Sequence, residues 1–321
     1  MSKHTLVLDS SQISCFLECP QLWQYKYVQR LTPQHYEVDA TYMNAGTYGH
    51  SMLDVYYKAR ARHETPQEAI AQAFSYNPDT DTCECGCKID SHKLVPAFNI
   101  LECRRCKHCA NFKAKPFALD SIVRSTVQNR LREYFFKYQD QDFTALSEQH
   151  VEVGFSEPIY EDTENFFVLE GRIDLLGSIQ GLPCAVDHKF QFKTHYLYPK
   201  SVQFKNYALI SKVTMFFINY IRLRKEPGPT NLERVICSFT VPELLAWKQK
   251  LIQVFFKIKE AQLSSDYEKR WNSCKGYGET YKQDQPKYCI YNPLCEEINS
   301  DIVERKQQTL YQVNQEVWKP W

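Results

Sequence analysis

The chain has 321 residues, 43% hydrophobic and 14% aromatic, which excludes a disordered polymer and leaves room for a sizeable core, as one large domain or a domain with insertions. A net charge of +1 excludes an evenly basic nucleic-acid coat, so a nucleic-acid contact would need a local patch. No apolar run has the length of a membrane span and no signal-peptide core opens the chain, so it is expected in the cytoplasm, with its thirteen cysteines read as metal ligands rather than disulfides.

Near the N-terminus, Ser10, Ser11 and Ser14 surround Ile13 at a spacing that predicts a short, serine-capped amphipathic helix. Cys15, Cys19-Pro20 and the aromatic residues Trp23, Tyr25 and Tyr27 follow, which by themselves describe a packing helix with two buried cysteines. Further on, Gly46 and Gly49 precede a predicted helix that His50 opens, with Met52, Leu53, Tyr56 and Tyr57 along one side. Taken alone, His50 reads as a cap or a core residue.

Residues 76–112 interrupt this pattern with six cysteines and two histidines in a short polar stretch. Cys103-x-x-Cys106 is a zinc knuckle, and Cys83-x-Cys85 is a tighter one. Four thiolates would hold a structural Zn²⁺ tetrahedrally and supply the folding energy that the segment's missing core does not. Cys87, His92, His108 and Cys109 compete as ligands. Arg104, Arg105, Lys107, Lys113 and Lys115 make the insertion locally basic and suited to a phosphate.

A long helix is predicted over 117–140, where Leu131, Tyr134, Phe135 and Tyr138 fall at helical spacing, and strands over 149–156 and 166–176. Ile173–Leu176 and Ala185–Val186 are apolar runs bounded by Gly177, Gly181 and Pro183, as expected of a hairpin with Gln180 and Gly181 at its tip. That register sets Asp174 against Asp187 on one face with Cβ atoms roughly 5 Å apart, and Lys189 on the same face. Two like charges so close in apolar surroundings call for a divalent cation with oxygen ligands. A helix over 201–213 puts Gln203 and Tyr207, four apart, on one side. Strands over 215–223 and 234–240, and a helix from Pro242 to about Leu263, complete a mixed α/β core. Cys274, Cys289 and Cys295 lie among aromatic residues in the C-terminal segment. The final Trp318–Trp321 tail has no functional account.

Gly171-x-x-Asp174, Asp187-His188-Lys189 and Gln203-x-x-x-Tyr207, in that order, resemble the RecB-like branch of the PD-(D/E)XK nuclease superfamily, iron–sulfur type. The layout is similar to that of the CRISPR-associated RecB-like exonucleases, the AddB nuclease domain, exonuclease V and phage-encoded relatives. The resemblance runs from Cys19 to Cys295 and leaves the zinc-like insertion outside it. Asp187 departs from the Glu of many relatives, an accepted variant.

The resemblance implies a restriction-endonuclease-like α/β core and metal-dependent hydrolysis of phosphodiester bonds in DNA, with exonuclease action on single strands or DNA ends. It implies Mg²⁺ or Mn²⁺ held by His50, Asp174 and Asp187 with a backbone carbonyl near His188. Lys189 would position the attacking water or steady the developing charge, and Gln203 and Tyr207 would orient the strand or the lysine. It further implies a [4Fe–4S] cluster on Cys19, Cys274, Cys289 and Cys295 that clamps the two ends of the chain together. The gap from Cys274 to Cys289 is longer than in many relatives, and Cys15 is an alternative to Cys19. Four regions follow: 1–75, helical, with the first cluster cysteine and His50; 76–112, the zinc insertion; 113–263, the nuclease core; and 264–321, the iron–sulfur segment. The rival readings are a catalytically silent DNA-binding or assembly factor of a phage or CRISPR-type complex with protein partners, and a metal-bound structural scaffold.

Overall fold

The computed structural model describes residues 3–34, 40–76, 92–95, 100–103, 120–139, 142–192, 201–224, 228, 231–270, 289–297 and 299–314. In chain order the elements are β1 (His4–Asp9), α1 (Ser10–Glu18), α2 (Pro20–Trp23), β2 (Leu31–Pro33), α3 (Ala40–Ala61), α4 (Pro66–Ser75), β3 (His92–Val95), β4 (Ile100–Cys103), α5 (Ser121–Tyr138), β5 (Thr144–Ala145), β6 (Val151–Glu161), β7 (Asn165–Ile179), β8 (Leu182–Gln191), α6 (Val202–Ser211), β9 (Met215–Arg222), β10 (Leu232–Ser238), α7 (Val241–Ser264), α8 (Asn292–Cys295), α9 (Ser300–Leu310) and β11 (Tyr311–Val313).

Among the described residues, seven strands form one mixed sheet around β7. One edge of β7 takes β6 and β5 antiparallel. The other edge takes β1 in parallel over its first half and β8 antiparallel over its second. β9 joins β8 in parallel, which requires a crossover, and α6 lies in it. β10 closes this side antiparallel to β9.

Helices cover both faces, as alternate residues of the central strands record. Val186 and Phe217 pack with Tyr56 of α3 and Leu131 of α5, while their neighbours Ala185 and Phe216 pack with Phe204 of α6 and Leu244 of α7. Burial on both sides explains why β9 reads as a nearly unbroken apolar run.

Several local expectations change. The cap of α1 is Asp9, whose carboxylate accepts the Gln12 backbone N–H, and Ser10 is the first helical residue. His50 does not open its helix but sits inside α3, and Gly46 and Gly49 are helical too. A Cβ at Gly49 would overlap the Phe190 ring of β8, so this glycine serves close helix–sheet approach rather than a helix start. β1 and the C-terminal α9 and β11 were not expected. The first owes its place to parallel pairing with β7, and β11 pairs with β2, joining the two ends of the described chain. Cys83, Cys85, Cys106 and Cys274 lie outside the described residues. Cys103 stands opposite His92 in the β3–β4 pair.

Asp9 is 5% exposed, and burial pushes its carboxyl up to about 6, against the backbone hydrogen bonds that lower it. A raised carboxyl pKa means that the folded protein holds a proton that the unfolded chain has released. The associated stability is present below the unfolded pKa near 3.8 and is lost as pH rises through about 6. Asp9→Asn keeps a capping oxygen. It should raise the melting temperature at pH 7.5 and have little effect at pH 4, with a gain of at most about 3 kcal/mol. Thermal melts at the two pH values check this.

Candidate active site

The hairpin places two acids. Gln180 and Gly181 have φ of 51° and 79°, as a two-residue type I′ turn requires. From there the ladder runs from Ile179–Leu182 to Leu175–Val186, a register that continues to Asp174 opposite Asp187. The backbone pairing ends at that point, and the His188 N–H donates to Asp174 Oδ2 at 2.6 Å.

The row extends into β6. Val151 pairs with Leu175 and Val153 with Ile173, which leaves Glu152 opposite Asp174. Glu152 has a φ of 53°, a left-handed backbone inside a strand, strain on the order of 1–3 kcal/mol that the surrounding structure must hold. Three carboxylates, Glu152, Asp174 and Asp187, thus occupy one lateral row across three adjacent strands. His50 reaches this row from α3, its Nδ1 3.5 Å from Asp174 Oδ2 and 3.7 Å from Glu152 Oε1.

On the other flank, Lys189 Nζ lies 3.0 Å from Asp187 Oδ1 and 2.9 Å from Oδ2. Gln203 of α6 donates from Nε2 to Asp187 Oδ1 at 3.1 Å and to the Tyr207 hydroxyl at 2.8 Å. The structure therefore gathers His50, Asp174, Asp187, Lys189, Gln203 and Tyr207, and adds Glu152.

Burial raises the carboxyl pKa of Asp187 to about 6, against the pull of Lys189, and raises that of Asp174, against the pull of His50. For His50, burial disfavours the cation, but the Asp174 and Glu152 carboxylates outweigh it and its pKa rises. Burial likewise opposes the charge on Lys189, and Asp187 and Asp174 more than restore it. Lys189 is thus held protonated, fit to stabilise negative charge rather than to remove a proton. Tyr207, pushed well up by burial, keeps its hydroxyl proton.

The residues fit a hard divalent cation. One ligand atom each from His50, Glu152 and Asp174 lies within 4.8 Å of the others. Asp187 Oδ2, beside them, is buried with no hydrogen bond aligned on it, its 2.9 Å approach to Lys189 being a charge contact only. Imidazole plus carboxylates is a donor set for Mg²⁺ or Mn²⁺.

Behind β8 lies a buried polar network that the motifs do not announce. Asn219 of β9 donates to His188 Nδ1 at 3.2 Å and to the Tyr134 hydroxyl at 3.1 Å. An acceptor role for Nδ1 puts the His188 proton on Nε2, and burial holds this imidazole neutral. Arg234 of β10 donates to Asn219 Oδ1 at 2.9 Å, lies 3.5 Å from Asp142, and is sandwiched between the rings of Tyr138 and Phe143 at 3.9 and 4.1 Å. Tyr57 bonds Tyr134 and Asp142 and stacks on His188. This network fixes the strand that presents Asp187 and Lys189.

Among the described residues no helix is long and apolar enough to cross a membrane. No curated protein matches the chain. Among solved structures it is similar to SSO0001, at 13% identity and a TM-score of 0.28 over 48% of this chain and 66% of that one, just under two thirds of its length. It is also similar to a candidate exonuclease from Eubacterium rectale, at 14% identity and a TM-score of 0.37 over 91% of this chain and 94% of that one. The sequence pattern of the PD-(D/E)XK nuclease superfamily matches residues 10–296, and the chain belongs to that superfamily.

Proposed function

We propose that the protein is a metal-dependent deoxyribonuclease that hydrolyses phosphodiester bonds, an exonuclease acting on single strands or DNA ends. The observation that supports this most is the convergence of Asp174, Asp187 and Glu152 with His50 on one side and Lys189 on the other. A bound Mg²⁺ or Mn²⁺ would supply a water of lowered pKa and neutralise charge on the phosphate. His50, Glu152, Asp174 and Asp187 would hold it. Lys189 keeps its proton and sets a fixed positive charge where negative charge develops. Gln203 ties Asp187 to Tyr207, so that the carboxylate and the hydroxyl move together. End-labelled single- and double-stranded DNA incubated with Mg²⁺, Mn²⁺ or EDTA tests the reading. Shortening from one end with either metal and none in EDTA is expected, and intact substrate throughout would overturn it.

The [4Fe–4S] cluster on Cys19, Cys274, Cys289 and Cys295 belongs to the same proposal. Cys15, Cys19, Cys289 and Cys295 share one buried cluster with Tyr25, Tyr291 and Tyr311. Burial pushes the Cys15 thiol up to about 12, with Cys19 and Cys289 near enough to add to it, so thiolates in this pocket need a metal to balance them. Zinc in the 76–112 insertion, on Cys83, Cys85, Cys103 and Cys106, completes the proposal. Anaerobically purified protein should be brown, with about four irons and one zinc per chain. Colourless, metal-free protein that is fully folded would remove both assignments.

A further inference from the structure

Two cavities share Arg172, in β7 two residues before Asp174, as a lining residue. The larger, about 450 Å³, is lined by Lys189, Gln203 and Tyr207 and by Ser11 and Ser14 of α1. The smaller, about 290 Å³, is bounded by His50 and Glu152. Arg172 lines both. Its guanidinium donates to Glu152 Oε2 at 3.3 Å, long for a charge-assisted bond. The other oxygen of Glu152 is the one that faces His50. Glu152 is therefore shared between Arg172 and the group that fits a cation.

A nucleic-acid strand brings more negative charge to a site that already holds three carboxylates. Lys189 is engaged by both oxygens of Asp187. Arg172, its side chain 42% exposed, is placed to turn. Its planar fork matches the paired oxygens of a phosphate. Ser11 and Ser14, which carry neutral hydroxyls, also line the larger cavity. Asp9 also lines this cavity, its carboxylate engaged by the Gln12 backbone N–H.

We propose that Arg172 is a phosphate clamp for a single nucleic-acid strand, held back by Glu152 and released into the larger cavity when Glu152 turns to a cation. The proposal rests on the nuclease reading of the same site. It makes cation binding and strand binding mutually supportive, because the cation takes from Arg172 its resting partner.

The test is fluorescence anisotropy of a labelled single-stranded oligonucleotide, in Ca²⁺ or in EDTA, with the wild type, Arg172→Gln, Arg172→Lys, Glu152→Gln and the Glu152→Gln/Arg172→Gln double variant. Ca²⁺ takes the same oxygen ligands. In Ca²⁺, Arg172→Gln should weaken binding about tenfold and flatten the slope of log K against log salt by about 0.7, one phosphate contact. Arg172→Lys should recover part of the affinity. In EDTA, Glu152→Gln should bind the strand more tightly than the wild type, and the gain should vanish in the double variant. An Arg172→Gln protein that binds as the wild type does in Ca²⁺, or a gain that survives in the double variant, overturns the clamp. Wild-type protein that cuts DNA with Mg²⁺ while Arg172→Gln binds normally leaves the nuclease reading standing and the clamp refuted. The full anisotropy pattern without any cleavage supports the clamp and refutes the nuclease reading.

Discussion

Asp187→Ala is expected to lower Mg²⁺-dependent DNA cleavage at least about a thousandfold, the several kcal/mol of charge stabilisation that an assembled metal site supplies. The variant should melt at the wild-type temperature or above. Asp187 has a side chain 2% exposed, beside Asp174, and burial raises its carboxyl pKa to about 6. Its ionised form is unfavourable in these buried surroundings, and removing it relieves like-charge repulsion with Asp174. Lys189, a quarter exposed, keeps Asp174 as a neighbouring charge. Cleavage assays paired with thermal melts separate the two effects. A wild-type cleavage rate would end the site assignment, and a collapse of stability together with activity would make Asp187 a structural residue.

The second large effect concerns stability. Arg234→Met should cost about 3–5 kcal/mol at neutral pH, because it leaves the Asp142 carboxylate buried without its counter-charge. The side chains of the pair are 11% and 8% exposed, so water replaces little. The two ring contacts of the guanidinium go as well. A melting-temperature drop of roughly 5–15 °C follows. The loss should depend on pH. Burial already raises the Asp142 pKa and Arg234 holds it down. Without Arg234 the folded protein binds a proton that the unfolded chain does not, so the deficit should shrink as pH falls from 8 to 5. Arg234→Met with Asp142→Asn should recover more than half of the loss, and a double variant as unstable as the single one would refute the stranded-charge account.

The three motif segments were legible because each is local. A two-residue turn fixes the β7–β8 register, and helical spacing fixes Gln203 with Tyr207. Glu152 was not legible, for a reason visible in the ladder. Next to the β6–β7 connection, Tyr160 pairs with Phe167, and counting on from there would set Val153 against Asp174. An irregularity between Pro158 and Tyr160 shifts the register by one residue and brings Glu152 into the row instead. The sequence points to His50 but not to its place inside α3, because Gly49 reads as a helix start and its close approach to Phe190 is a tertiary contact. The Arg234 network joins β8, β9, β10, α3 and α5 through side chains far apart in sequence, and no spacing rule announces it.

Leu31 pairs with Val313, and Tyr291 donates its hydroxyl proton to the Leu31 carbonyl at 2.7 Å. For a ribosome adding roughly 5–20 residues per second, that partnership waits on the order of half a minute after β2 has emerged. Through that interval Cys15, Cys19 and Tyr25 wait for Cys289, Tyr291, Cys295 and Tyr311, the last members of their buried cluster to be made, whereas β7, β8 and α6 can already assemble. Synthesis therefore delivers the catalytic row first and closes the cysteine pocket last. The nascent protein is most exposed to oxidation and to aggregation at its N-terminal cysteines, not at its carboxylates.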